Sequence, residues 1–233
     1  KNTKREKKGM KMPIIEAYLD DLIKNSTLDV PAWNIEAARK GGKSGWNYID
    51  GCMILAMIET WKITGEKRYL DFADHRVQED GTIKGYNPED YNIDNVNAGK
   101  TLFLLYDITG KEKYRKAIDV IYGQLKGQPR TSEGNFWHKK IYPNQVWLDG
   151  FYMEYETRFN DKKNYPDIFN QFFNVVKNMR DEKTGLYYHA YDSSKEMFWC
   201  DKTTGLSKNF WLRALGWYSM ALLDTLKKYG NTC

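Results

Sequence analysis

The sequence predicts an all-α chain assembled from helical hairpins. Three observations predict it: a repeated block, an alternation of amphipathic with apolar helices, and a glycine turn closing each block. The block reads GEKRYLDFAD from Gly65, GKEKYRKAID from Gly110 and DKKNYPDIFN from Asp161, with its tyrosine at Tyr69, Tyr114 and Tyr165. Each block opens a helix whose apolar residues recur at threes and fours. In the third, Tyr165, Ile168, Phe169, Phe172, Phe173 and Val176 form one stripe, leaving Lys, Asp and Glu to water. The closing turns are Asp80-Gly81, Glu133-Gly134 and Thr184-Gly185.

A second, more apolar helix follows each turn, over 46–63, 94–108, 145–159 and 208–228. Each carries a glycine near its start, at Gly51, Gly99, Gly150 and Gly216. A mid-helix glycine costs about 1 kcal/mol relative to alanine, so four at related positions point to close helix approach or a ligand. Helix 46–63 is apolar on nearly all sides and is expected to be enclosed by others, with Cys52 as a reduced core thiol. A helix near 12–25 completes four hairpins. Outer amphipathic and inner apolar helices in alternation are the plan of an α/α toroid, whose inner helices ring a pocket. A full (α/α)6 barrel has six hairpins. Four predict an arc with exposed apolar faces on the first and last hairpins. FWHKKIYP and GLYYHAYDSS read as loops, and no sheet is expected. The expected organisation is a basic tail over 1–11 and an α/α toroid catalytic domain over 12–233, incomplete at its C-terminus.

Charge narrows the function class. The chain carries a net charge of +5, and residues 1–12 hold six Lys/Arg and one Glu, leaving 30 basic and 30 acidic residues in the neutral remainder. The folded body thus has no net basic character, which argues against nucleic acid. Cys52, Cys200 and Cys233 are far apart and lack zinc-ligand spacing, so no metal site is expected. No apolar run has membrane-spanning length, so no membrane partner is expected. A cytoplasmic location is expected, or a periplasmic one had a signal peptide been removed.

Two segments, 128–153 and 184–218, hold two of the three histidines and five of the eight tryptophans. Aromatics interspersed with Asp, His, Lys and Arg suit a sugar: rings stack on its flat faces, and directional polar groups meet its hydroxyls. Asp149, in VWLDGFYM, is the sharpest candidate. Among Trp147, Phe151 and Tyr152 a carboxyl favours its neutral form and so suits proton donation. The same position also suits a carboxylate that meets free N–H groups at a helix start. Asp94, in YNIDNVNAGK, holds the equivalent place one repeat earlier, and two such carboxyls make a plausible acid/base pair. Asp50 sits similarly, either as a third or as a cap. His138, Lys139 and His189 are loop residues with aromatic neighbours, read either as site residues or as structural hydrogen-bonding groups. Arg213 and Trp217 share a helix face, either to hold a sugar carboxylate or as a structural stack. His75 lies in an outer helix, away from function.

The string PRTSEGNFWHKKIYPNQVWLDGFYM resembles the unsaturated rhamnogalacturonyl hydrolases, glycoside hydrolase family 105, relatives of the unsaturated glucuronyl hydrolases. YNIDNVNAGKTLFLLY, TGLYYHAYD and WLRALGWYSMALLD extend the resemblance over about residues 46–228. After Met153, EYETRF departs from the family's Pro-Phe pair. The resemblance implies an (α/α)6 barrel, no cofactor, and an oligosaccharide substrate ending in a 4,5-unsaturated uronic acid. It implies Asp149 as general acid/base, assisted by Asp94. Trp147, Met153, Trp211 and Trp217 would shape the pocket, while His138, Lys139, His189 and Arg213 would hold polar groups. The rival readings are another toroid enzyme, an epimerase or lyase, and a non-catalytic carbohydrate-binding or scaffold protein.

Overall fold

The computed structural model describes residues 11–27, 30–34, 37, 39–41, 45–158 and 161–230; residues 1–10 of the expected tail and Cys233 lie outside these. The described chain is predominantly helical, as the repeat implies. Two compact units are distinguished, Lys1–Tyr86 with Thr101–Ile118, and Asn87–Lys100 with Asp119–Cys233.

In the first unit, helix α1 spans Pro13–Asn25, with a proline at its start where no helical N–H is lost. Helix α2, Tyr48–Thr64, begins at a capping box. Asn47 Oδ1 accepts from the Ile49 N–H at 2.8 Å, and Asp50 Oδ2 accepts from the Asn47 N–H at 3.0 Å. Asp50 therefore caps, in a buried position that also meets the Trp33 indole at 3.4 Å. Burial pushes its carboxyl up, against the opposing effect of Arg76. Helix α2 ends at Gly65 in a left-handed conformation and packs on α3, Lys67–Ala73.

The enclosure expected for α2 is not found. Ile54, Met57 and Ile58 are buried while Cys52 and Ile63 are exposed, so α2 buries one stripe and Cys52 is no core thiol. His75 lies in the short 3-10 turn Asp74–Arg76 that follows α3, not within the helix.

The repeat's tyrosines explain how its helices seat. Tyr69 and Tyr114 are fully buried, and the Tyr114 hydroxyl donates to Asp74. Asp74 also pairs with the buried Lys113 at 2.7 Å. Tyr114 lies in α5, Glu112–Gly127, which follows α4, Lys100–Thr109. Gly81 has φ +92°, and a Cβ there would stand 2.4 Å from Lys116 Cβ, so only glycine fits this turn.

In the second unit, the expected helix 94–108 is broken at its start. Two 3-10 turns, Ile93–Asn95 and Asn97–Gly99, precede α4, because Asn92 Oδ1 captures the Asp94 N–H at 3.0 Å and starts a tight turn. The expected helix 145–159 is likewise preceded by a strand. Strand β1, Gln145–Trp147, runs into α6, Leu148–Arg158, and pairs antiparallel with β2, Ala190–Asp192. The register sets Gln145 opposite Asp192 and Trp147 opposite Ala190. The expectation of no sheet is thus corrected; three residues are too few for a period-two pattern to register.

Helix α7 spans Tyr165–Met179 and α8 spans Leu212–Gly230, with α6 packed chiefly on α8. On α7, Ile168, Phe172, Val175 and Met179 are buried, but Phe173 is 69 % exposed and Val176 is also exposed. The buried stripe is therefore narrower than the apolar pattern. Leu223 and Leu226 on α8, like Ile14 and Tyr18 on α1, are exposed as well. No helix among the described residues is long and apolar enough to cross a membrane.

Candidate active site

The sheet and the glycines build the site, all of it within the second unit. The Leu148 N–H donates to the His189 carbonyl at 3.1 Å, continuing the β1–β2 pairing to the first turn of α6, where Asp149 stands. On the other side of β1, the His138 N–H donates to the Gln145 carbonyl at 2.8 Å. The Ile93 N–H then donates to the His138 carbonyl at 3.1 Å. Backbone bonds thus tie Asp94, His138, Trp147 and His189 to one short sheet. A Cβ on Gly150 would stand 3.0 Å from His138 Nδ1, so this glycine lets the imidazole lie against α6. Gly99 similarly admits Ile121, at 3.2 Å from such a Cβ. Gly216 faces open space, and the close approach expected there is absent.

Trp147 is the centre of the aromatic cluster. Its ring lies parallel to His138, 4.6 Å between centroids, and to Tyr142, 5.3 Å away. His189 tilts against it at 5.3 Å and meets Trp211 edge-on at 5.0 Å. The Trp147 indole donates to Gln145 Oε1 at 3.0 Å, which fixes its orientation.

Two carboxylates have different surroundings. Asp149 is 6 % exposed; Arg213 Nε donates to its Oδ1 at 3.0 Å, and its buried Oδ2 has no hydrogen-bond partner among the described residues. The Arg213 guanidinium lies 3.8 Å over the Trp211 ring. The expected Arg213–Trp217 face is therefore not the one used. Trp217 packs on Tyr152 at 4.7 Å, and the buried Lys100 donates to the Tyr152 hydroxyl at 3.1 Å. Asp94 meets His138 Nε2 at 3.3 Å and Lys139 Nζ at 2.8 Å. Burial alone would push its carboxyl up, but His138 and Lys139 outweigh burial and hold it well below the usual carboxylate range. Asp94 is thus a fixed anion rather than a proton donor near neutrality. Burial holds the His189 imidazole below its usual value, opposed by Asp149 and reinforced by Arg213 and His138.

Of the residues singled out by sequence, Asp94, His138, Lys139, Trp147, His189, Trp211, Arg213 and Asp149 form one connected cluster. Met153 is buried one turn beyond Asp149 on α6. The side chains of the following EYETRF segment beyond Glu154 lie outside the described residues. Sequence reading missed Tyr142 and Tyr152 as ring partners. It also missed a cleft of about 470 Å³ lined by Trp147, His189, Phe198, Trp199 and Lys208. Its only signal was the density of aromatics over 184–218. Among the described residues no group of three or more His, Cys, Asp or Glu is placed to hold a metal ion.

Comparison with known proteins places the chain in a family. The profile of Glycosyl Hydrolase Family 88 matches residues 22–229. The unsaturated rhamnogalacturonyl hydrolase YesR of Bacillus subtilis (strain 168) is 27 % identical over 193 residues, 78 % of this chain and 53 % of that protein. A glycoside hydrolase from family 105 of C. acetobutylicum ATCC 824 superposes with a TM-score of 0.78 at 43 % identity, over 91 % of this chain and 58 % of that one. The α-1,6-mannanase GH76A of Salegentibacter sp. HEL1_6, at 15 % identity and TM-score 0.67, covers 93 % of this chain and 65 % of its own, and shares the fold alone. The toroid fold class read from the repeat is that of these relatives. The chain spans little more than half the length of the first two.

Proposed function

The chain belongs to glycosyl hydrolase family 88, with a family 105 protein among its relatives, and on that footing we propose that it releases a 4,5-unsaturated galacturonic acid from the non-reducing end of a rhamnogalacturonan oligosaccharide. The observation that carries this reading is Asp149: a buried carboxyl with one oxygen held by Arg213 and the other unpartnered, beside a wall of aromatic rings.

The reaction is a hydration. Asp149 gives a proton to C4 of the enol ether, and positive charge develops at C5 and the ring oxygen. Water adds at C5 while the Asp149 carboxylate takes its proton back. The resulting hemiketal opens, C1 becomes a hemiacetal, and the attached sugar leaves. No electrons are gained or lost, and one water is consumed. Unlike a glycosidase that attacks the anomeric carbon, this needs one acid/base carboxyl and not a pair. The structure fits such a division: Asp94 is locked as an anion by His138 and Lys139, and orders them. Arg213, nearly half exposed on its side chain, is available to the substrate carboxylate.

The test is loss of the conjugated double bond's ultraviolet absorbance on unsaturated rhamnogalacturonan disaccharide, with an unsaturated glucuronyl disaccharide alongside. Turnover of the first, fading as pH rises, supports the reading. A rate that keeps rising through alkaline pH opposes a carboxyl donor.

A further inference from the structure

The cleft of about 470 Å³ beside Trp147 and His189 is walled by a loop that the hydration chemistry does not use. The loop follows β2 and is organised by Asp192, which is completely buried. Its carboxylate accepts from the Ser194 N–H at 3.0 Å, the Ser194 hydroxyl at 2.7 Å, the Glu196 N–H at 2.9 Å and the Met197 N–H at 2.8 Å. Lys202 Nζ closes the loop from the other side, donating to the Glu196 and Met197 carbonyls, each at 2.7 Å. Gly205 packs so closely that a Cβ there would stand 2.4 Å from the Asp192 carbonyl oxygen. On this tightly bonded frame Phe198 is 88 % exposed, with Trp199 half-buried next to it. Lys208, on the same cleft wall, has no ion-pair partner among the described residues.

A large aromatic ring held in water on a fixed loop is unfavourable for folding alone and suits a surface that stacks a ligand. The cleft is continuous with the Asp149 site through Trp147 and His189, and its wall mixes rings with polar groups, as a sugar requires.

We propose that Phe198 and Trp199 form the platform for the leaving sugar, the residue bonded to the unsaturated uronic acid, with Lys208 and Asn209 meeting its hydroxyls. This rests on the hydration reading of the Asp149 site. The platform makes the chain selective for what it removes the uronic acid from, whereas the Asp149 cluster acts on the uronic acid itself.

The experiment compares two substrates, the unsaturated galacturonyl-rhamnose disaccharide and the methyl glycoside of the same unsaturated acid. Each is followed by double-bond absorbance with wild type, Phe198→Ala and Phe198→Tyr. Phe198→Ala is expected to raise KM for the disaccharide about fivefold at nearly constant kcat, leave the methyl glycoside unchanged, and be rescued by Phe198→Tyr. Equal loss on both substrates, or no loss on either, with an active wild type would overturn the platform alone. A wild type that turns over neither glycoside would overturn the hydration reading, and the platform with it.

Discussion

Arg213 and Asp149, 64 positions apart, form an ion pair at 3.0 Å, while the same guanidinium lies 3.8 Å over the Trp211 ring. The pair joins the first turn of α6 to the start of α8, the two helices that pack chiefly on each other in this unit. In the proposed reaction Arg213 would both hold the proton-transferring group and offer a cation to the substrate carboxylate.

Replacing Arg213 should therefore cost more than one contact. Arg213→Ala is expected to lower kcat/KM about a hundredfold, and Arg213→Lys to recover little. An ammonium neither lies flat on Trp211 nor presents the planar Nε–H that Asp149 accepts. Steady-state rates on the unsaturated disaccharide check this; near wild-type kcat/KM in Arg213→Lys would show that only charge matters.

Much of this was legible beforehand, and what was not has physical causes. Periodicity located the helices and the loops that carry the site, and local context picked out Asp149 and Arg213. It did not pair them, because a contact across 64 positions leaves no local signature. Arg213 and Trp217 share a helix face, which made them the natural pair, yet Trp211 takes the guanidinium from just outside the helix. The β1–β2 pairing was invisible because each strand has three residues. Phe173 and Val176 fit the apolar stripe of α7 by spacing, but periodicity reports where apolar residues lie and not what covers them.

Two glycines should respond oppositely to alanine. Gly216 lies within α8 and faces open space, so Gly216→Ala should stabilise by up to about 1 kcal/mol. Gly81, with φ +92° and no room for a Cβ, should lose more than about 1 kcal/mol on the same change. Chemical denaturation reads both; equal effects would contradict the assigned turn geometry.

Asp94 sets an acid limit on stability. Its carboxyl is held below its ordinary value in the folded state, so the unfolded chain binds the proton first as pH falls. The stabilisation is fully present above the unfolded value of about 4 and is lost as pH falls towards the folded one. Asp94→Asn should be less stable at neutral pH, with Lys139 and His138 deprived of their anion, and should show a shallower decline below about pH 4. An unchanged slope in denaturation measured across that range would count against the triad.

His189 acts in a higher window. Burial disfavours its charged form, so the unfolded chain takes up the proton near pH 6.5 while the folded one resists. Stability should fall as pH drops below about 6.5, and His189→Gln should flatten that fall. The groups facing the imidazole, Asp149, Arg213 and His138, remain in the variant, so the difference between the two curves isolates His189.

The central claim is that Asp149 moves the proton. Asp149→Asn keeps size and shape but has no proton to give to C4 and no charge to activate water. Double-bond loss from the unsaturated rhamnogalacturonan disaccharide, measured beside the far-ultraviolet helical signal, tests it directly. The account predicts that kcat falls about a thousandfold or more while helical content stays at the wild-type level. A folded Asp149→Asn protein that hydrates the substrate at the wild-type rate would contradict it.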